Sequence, residues 1–237
     1  MILALETATV ACSVALVADD GAVLAESIDR EGPAHTQRLL PGVHAVLRAA
    51  AVELDDVETI AVGLGPGSYT GMRIGIATAR ALAQAGEGAC LVGVPTLGAL
   101  AWALAAGSRA SAPVDGAAVG HVVALVDGRR KEVFAACYAL RAGLPAPVEE
   151  APAVVRAADI AAYLSNWPDA IVGGDGALLY AESIPVAVRL DRDVVGPTAT
   201  MVARAWLGGV PGRVEGLADV LPIYGRAPDA VRWTARG

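Results

Sequence analysis

The apolar residues of this chain come in short runs, and the spacing inside each run separates strand from helix. "MILALET" is an unbroken apolar run, and "CSVALVADD" and "GAVLAESIDR" follow as two more, broken at Asp19, Asp20 and Gly21. Asp-Gly between such runs signals a hairpin, so the chain opens as an antiparallel meander of three strands. The period then changes. Leu39, Leu40, Val43, Val46, Leu47 and Ala50 recur at helical spacing and predict a helix over 36–52, with Pro41 in its first turn or bending it. "DVETIAVGLG" reads as a strand. "SYTGMRIGIATARALAQAG" reads as a helix over 69–85, capped by Ser68 or Thr70 and ended by Gly86 and Gly88. "CLVGVPT" is another strand and "LGALAWALAAG" another helix.

The order then recurs. "HVVALVD", "GRRKEVFAACYAL" and "APVEEAPAVVR" make a second meander, "AADIAAYLSNW" its helix, "DAIVGGDG" a strand ending in glycines, and "TATMVARAWLGG" a late helix. A three-stranded meander followed by parallel strands is the ribonuclease H-like pattern; doubled, it is the actin-like ATPase (ASKHA) architecture, an α/β fold of two lobes. The expected division is an N-terminal lobe over 1–107, a C-terminal lobe over 108–216 and a tail over 217–237, with the loop-like "SRASAPVDGAAVG" at the boundary. Fold alone does not give function.

Composition narrows the classes. The 237 residues are 55% hydrophobic and 4% aromatic, and the net charge is −7. Alanine is abundant, so helices can pack closely. A chain that binds nucleic acid unaided usually carries a basic face; here Arg129, Arg130 and Lys131 form only a short cluster, so for any RNA a partner is expected to supply most phosphate contacts. Cys12, Cys90 and Cys137 lie far apart in apolar contexts, which points to a reducing compartment. No apolar stretch reaches the ~20 residues of a membrane helix, and the chain starts directly as a strand. A cytoplasmic location and no membrane contact are expected.

The stretch "GLGPGSYTGMRIG" offers candidate chemistry. Gly65, Pro66, Gly67, Ser68 and Thr70 turn a strand into a helix, where free N–H groups and the dipole favour an anion. A ligand-free turn explains the same residues. The Lys of GxxxxGK[ST] is missing, and the spacing is not GxGxxG. Gly71, Gly75 and Ala79 recur every four residues and make a smooth stripe flanked by Met72 and Ile76. Such a stripe admits a close neighbour, either within the chain or from a partner protein.

"ILALETATVACSVAL", "HTQRLLP", "GLGPGSYTGMRIGIATARALA", "GVPTLGALA", "VDGRRKEVF" and "LPIYGR" occur in that order over nearly the whole chain. Together they resemble the TsaB (YeaZ) family, the dimerisation subunit of the bacterial complex that makes threonylcarbamoyladenosine in transfer RNA. The resemblance implies the actin-like fold and a non-catalytic paralogue of TsaD, which transfers the threonylcarbamoyl group to the adenosine beside the anticodon of tRNAs reading A-starting codons. It implies pairing with a TsaD-like subunit through helices 36–52 and 69–85, a TsaE-like ATPase that joins them, and tRNA met mainly through the complex. On that basis Leu39, Leu40, Val43, Leu47, Gly71, Met72, Gly75, Ile76 and Ala79 are the expected interface. Their apolar patch would pair two copies when the partner is absent. The chain departs from the family pattern where Glu6 replaces the aspartate of "DTAT", at Gly128 to Lys131, and at Gly225 in the tail.

Catalytic alternatives find partial support. The catalytic paralogue holds a metal with an HxxxH pair. Here the histidines are His35, His44 and His121; the first two are nine apart, so no metal site is expected. HExxH is absent, and Ser68 has no sequence-near histidine. An actin-like kinase needs a carboxylate near the first turn, a second-lobe equivalent and a glycine pair at the adenosine. Glu6 with Thr7, Asp127, and Gly173 with Gly174 are candidates for a vestigial nucleotide cleft that binds nucleotide weakly, with no cofactor required. Each also reads as a turn carboxylate or a strand end. The reading is a scaffold subunit inactive alone; the alternatives are a free-standing ATP-dependent phosphotransferase and a peptidase.

Overall fold

Along β1 (Ile2–Glu6) the side chains alternate between two helical layers, and this alternation organises the first half of the molecule. Leu3 and Leu5 face one layer; Ile2 and Ala4 face the other. β2 (Cys12–Val17) and β3 (Val23–Asp29) follow antiparallel, through the hairpin expected at Asp19 to Gly21. The computed structural model describes residues 1–31, 35–86, 88–110, 120–141, 144–147 and 152–226. The expected lobe boundary falls largely on 111–119, and the end of the tail on 227–237, both outside the described residues.

Helix α1 (His35–Ala50) turns Leu39, Val43 and Val46 inward and carries Pro41 inside it, exposed to solvent. Strand β4 (Thr59–Gly63) pairs parallel with β1. Helix α2 (Tyr69–Ala85) begins at Ser68, whose Oγ accepts the Gly71 N–H at 3.2 Å. Of the two expected caps, Ser68 is the one that acts. Strand β5 (Cys90–Val94) pairs with β4. α1 and α2 together cover Leu3, Leu5, Val14, Leu16, Ile60 and Val62. Each such buried aliphatic side chain contributes roughly 1.5–3 kcal/mol.

Helix α3 (Thr96–Ala110) leads to the second sheet: β6 (His121–Asp127), β7 (Glu132–Arg141), β8 (Leu144–Pro147) and β9 (Ala153–Arg156), the last two both antiparallel to β7. The expected third strand is therefore two. α4 (Ile160–Leu164), β10 (Ile171–Gly173), α5 (Asp175–Leu179) and β11 (Arg189–Leu190) follow. The sheet runs β11-β10-β6-β7-β8, matching β5-β4-β1-β2-β3 of the first. This equivalence makes the two-lobed, actin-like α/β fold visible in the topology.

The domain expectation needs a correction. The second lobe does not run to residue 216. Helix α6 (Ala199–Leu207) and strand β12 (Val214–Glu215) return to the first sheet: β12 pairs with β5, and the Ala199 N–H donates to Ser13 Oγ at 2.9 Å. Ala199, Val202, Ala203 and Ala205 lie against Ile2, Ala4, Ala15 and Ala61. Small side chains on both surfaces let helix and sheet approach closely, and α3 and α6 end up standing between the two sheets. No helix of the described residues is long and apolar enough to cross a membrane.

Candidate functional site

The two lobes face each other across a cleft of about 600 Å³. Among the described residues, stretches of both lobes and of the C-terminal segment build it. Ala8, Thr9 and Val10 come from the β1–β2 turn; Gly67, Ser68, Tyr69 and Met72 from the glycine turn and α2. Asp127 to Arg130, Phe134 and Asp175 come from the second lobe, and Tyr224, Gly225 and Arg226 from the C-terminal segment.

On the first-lobe wall the glycine turn is sewn to β1. The Ser68 N–H donates to Ala8 O at 2.6 Å, and Thr7 Oγ1 donates to Gly71 O at 2.8 Å. Gly65, preceding a cis peptide to Pro66, has φ +94°, a conformation that suits glycine. A Cβ on Gly67 would overlap Ala8 O, and one on Gly71 would overlap Thr7 O. With the Ser68 and Gly71 amides satisfied within the chain, these donors are not offered to an anion. The turn is built for close packing on β1, and Thr70 stands exposed in the first turn of α2.

The stripe on α2 also needs a correction. Gly71, Met72, Gly75, Ile76 and Ala79 are all buried, and a Cβ on Gly75 would overlap Thr7 Oγ1. The close neighbour of the stripe is the end of β1. Leu39 and Val43 are likewise core, Leu47 is half-buried, and Leu40 is exposed at 56%. The outward faces of the two helices carry Leu40, Pro41, His44, Ala77 and Ala81.

The carboxylates divide sharply. Glu6 is fully buried beneath the cleft, where Oε1 accepts the Ala8 N–H at 2.7 Å and Oε2 accepts the Thr96 hydroxyl at 3.0 Å. Burial pushes its pKa up to about 7 against those hydrogen bonds. Thr7 is also buried, so neither residue lines the cleft as expected. Asp127 does, at the cleft edge. Asp175, which sequence reasoning missed, lies beside it: Oδ1 accepts the N–H groups of Asp127 at 3.1 Å and Gly176 at 2.9 Å. Burial, with the charge of Asp127 as a smaller cause, raises its pKa to about 6. Gly173 and Gly174 are buried away from the cleft; a Cβ on either would overlap leucine side chains of α3. The signal for Asp175 was in "IVGGDG", one residue beyond the two glycines.

The C-terminal segment closes the mouth. The Ile223 N–H donates to Leu64 O at 2.8 Å, and Arg80 donates to Val220 O at 2.8 Å, both on the first lobe. Gly225 passes between Phe134 and Pro66. Arg226 then pairs with Glu132, donates to Gly128 O at 3.0 Å and lies over the Phe134 ring at 5.5 Å. Tyr224 stacks on Tyr69 with ring centroids 5.2 Å apart. Between Gly128 and Glu132, the two residues Arg226 bonds, Arg129, Arg130 and Lys131 have φ of 63°, 54° and 60°. His35 is buried at the start of α1 with Nδ1 unpartnered, His44 is exposed on the same helix, and His121 meets Asp169 at 3.0 Å; none of the three lines the cleft.

This geometry belongs with known relatives. A family model for tRNA N6-adenosine threonylcarbamoyltransferase (TsaD) matches residues 23–157. The TsaB protein of Escherichia coli, a tRNA threonylcarbamoyladenosine biosynthesis protein, is 45% identical over 142 residues, 58% of this chain and 54% of that protein. An uncharacterised protein of Mycobacterium tuberculosis is 31% identical over 97% of this chain and 93% of its own length. The structure of YeaZ from Pseudomonas aeruginosa superposes with a TM-score of 0.70 at 32% identity, covering 94% of this chain and 98% of that one. Sequence and fold agree along nearly the whole length, so the chain belongs to the TsaB (YeaZ) family of tRNA threonylcarbamoyladenosine biosynthesis proteins.

Proposed function

We propose that this chain is a non-catalytic scaffold subunit, working in the cytoplasm. It binds a TsaD-like catalytic subunit, joined by a TsaE-like ATPase, and supports transfer of the threonylcarbamoyl group to the adenosine beside the anticodon. The observation that carries this reading is the state of the carboxylates in and around the cleft. Glu6 is sealed at the end of β1 and held by Ala8 and Thr96, Asp175 is capped by two backbone N–H groups, Asp127 accepts the Arg129 N–H at 2.9 Å, and Glu132 is held by Arg226. Each of the four is already engaged within the chain. Outward, the α1–α2 layer offers the partner a face of Leu40, Pro41, Ala77 and Ala81. The buried glycine stripe supports that face from beneath.

The test is reconstitution. TsaD-like and TsaE-like proteins of the same organism receive tRNA and threonylcarbamoyl-adenylate, with and without this chain. Modification is expected only when the chain is present, and the chain alone is expected to modify no tRNA and hydrolyse no ATP. Full modification without it, or ATP turnover by it alone, overturns the proposal; the second result favours the phosphotransferase alternative.

A further inference from the structure

We infer that the cleft rim, formed by the Tyr69–Tyr224 stack and the cationic turn at Arg129, Arg130 and Lys131, is a direct contact for a single-stranded segment of RNA. The inference rests on the proposed role in tRNA modification and adds a contact made by this chain itself.

The first support is an aromatic platform. Tyr69 and Tyr224 lie far apart in the sequence, yet their rings stack 5.2 Å apart at 26°. They remain 57% and 46% exposed. The Arg73 guanidinium lies 5.2 Å from the Tyr69 centroid and donates to its hydroxyl at 2.9 Å. A cation and two stacked, exposed rings thus meet at the cleft lining, and an unpaired base stacks on such rings whatever its identity.

The second support is the turn. A hairpin connection with successive positive φ values favours glycine, asparagine or aspartate. Here Arg129, Arg130 and Lys131 adopt φ of 63°, 54° and 60° in succession. Side chains are disfavoured in that region, and residues held there cluster at functional sites. Three cations in place of glycines mark the side chains as the reason for the sequence.

The third support is charge. The chain carries a net −7, but Arg129, Arg130 and Arg226 line the cleft, with Arg73 beside Tyr69 and Lys131 next in the turn. Of the acids among them, Glu132 is paired with Arg226, Asp175 is half-buried in the cleft lining with its Oδ1 accepting two backbone N–H groups, and Asp127 approaches Arg129 at 3.7 Å. A local cationic rim beside stacked rings suits phosphates on one side and bases on the other.

The experiment uses the full chain bound to its TsaD-like partner and a fluorescent RNA stem-loop with an unpaired loop, read by anisotropy across salt concentrations. Tyr69→Ala with Tyr224→Ala is expected to weaken binding about tenfold or more. Arg129→Gly with Arg130→Gly, a change the left-handed backbone accommodates, is expected to weaken binding and flatten the salt slope by about 0.7 for each phosphate no longer neutralised. Arg189→Ala, on exposed β11, is expected to bind as wild type. If every variant holds the partner and binds RNA like wild type, the inference is overturned while the scaffold reading stands. If the wild-type chain does not hold the partner, the scaffold reading fails, and the same titration on the chain alone decides the RNA contact. An ATP titration separates a mononucleotide site: if the arginine variant loses ATP but not RNA, the RNA contact is refuted.

Discussion

Glu6 and Asp127 end the first strands of their respective sheets, and each is followed by a turn into an antiparallel partner strand. Around Glu6 the turn is folded inward: Thr7 and Ala8 are buried and hydrogen-bonded to the glycine turn of α2. Around Asp127 the turn stands in solvent and carries three cations. Topology repeats between the lobes; environment does not. The first lobe uses its turn to fix a long helix whose far side is exposed. Both turns line the cleft, but the second leaves its side chains exposed there.

The comparison can be broken hardest at Gly75. Leucine there must displace Thr7 from beneath α2, and a loss of more than about 3 kcal/mol is expected in urea unfolding. If Gly75→Leu is as stable as wild type, the first turn is not sealed as described.

The next largest effect is on pH dependence. The folded-state pKa of Glu6 is raised from 4.5 to about 7, so the native state holds this proton more tightly than the unfolded chain. Its stabilising contribution is complete below pH 4.5 and is lost as pH rises through 7, up to about 3 kcal/mol. Asp175, raised from 3.8 to about 6, acts in the same direction over a lower window. Urea midpoints between pH 5 and 8 should fall for wild type, fall much less for Glu6→Gln, and fall at an intermediate rate for Asp175→Asn. Equal slopes in all three would remove the burial argument.

Arg226→Ala cuts the strap that joins the lobes and leaves Glu132 half-buried without its partner; a loss of about 1–2 kcal/mol in thermal or urea unfolding is expected. The smallest effect is Ser68→Ala, which removes the α2 cap and is expected to cost about 1 kcal/mol by the same measurement.

Much of this fold was legible from local pattern. The Asp19 to Gly21 hairpin, the two N-lobe helices and the Ser68 cap follow from spacing and turn chemistry, and the repeat of element order disclosed two similar sheets. What was not legible depended on long-range placement. Nothing local in "TATMVARAWLGG" says that α6 turns back to β1 and β2, although its alanines are what make the close approach possible. The Gly71, Gly75 and Ala79 stripe announced a close neighbour correctly, but a single sequence cannot say whether that neighbour is a strand or a partner. Tyr224 and Arg226 join the cleft only because the tail crosses both lobes, a path with no sequence period.

The central claim is that the outer α1–α2 face holds a TsaD-like subunit while the glycine stripe beneath it is core. Its most direct test is calorimetric titration of that partner into wild type and into Leu40→Asp with Ala77→Arg, two exposed positions. Tight wild-type binding weakened at least tenfold in a variant with an unchanged urea midpoint is the expected result. A variant that folds normally and binds the partner like wild type would contradict the account.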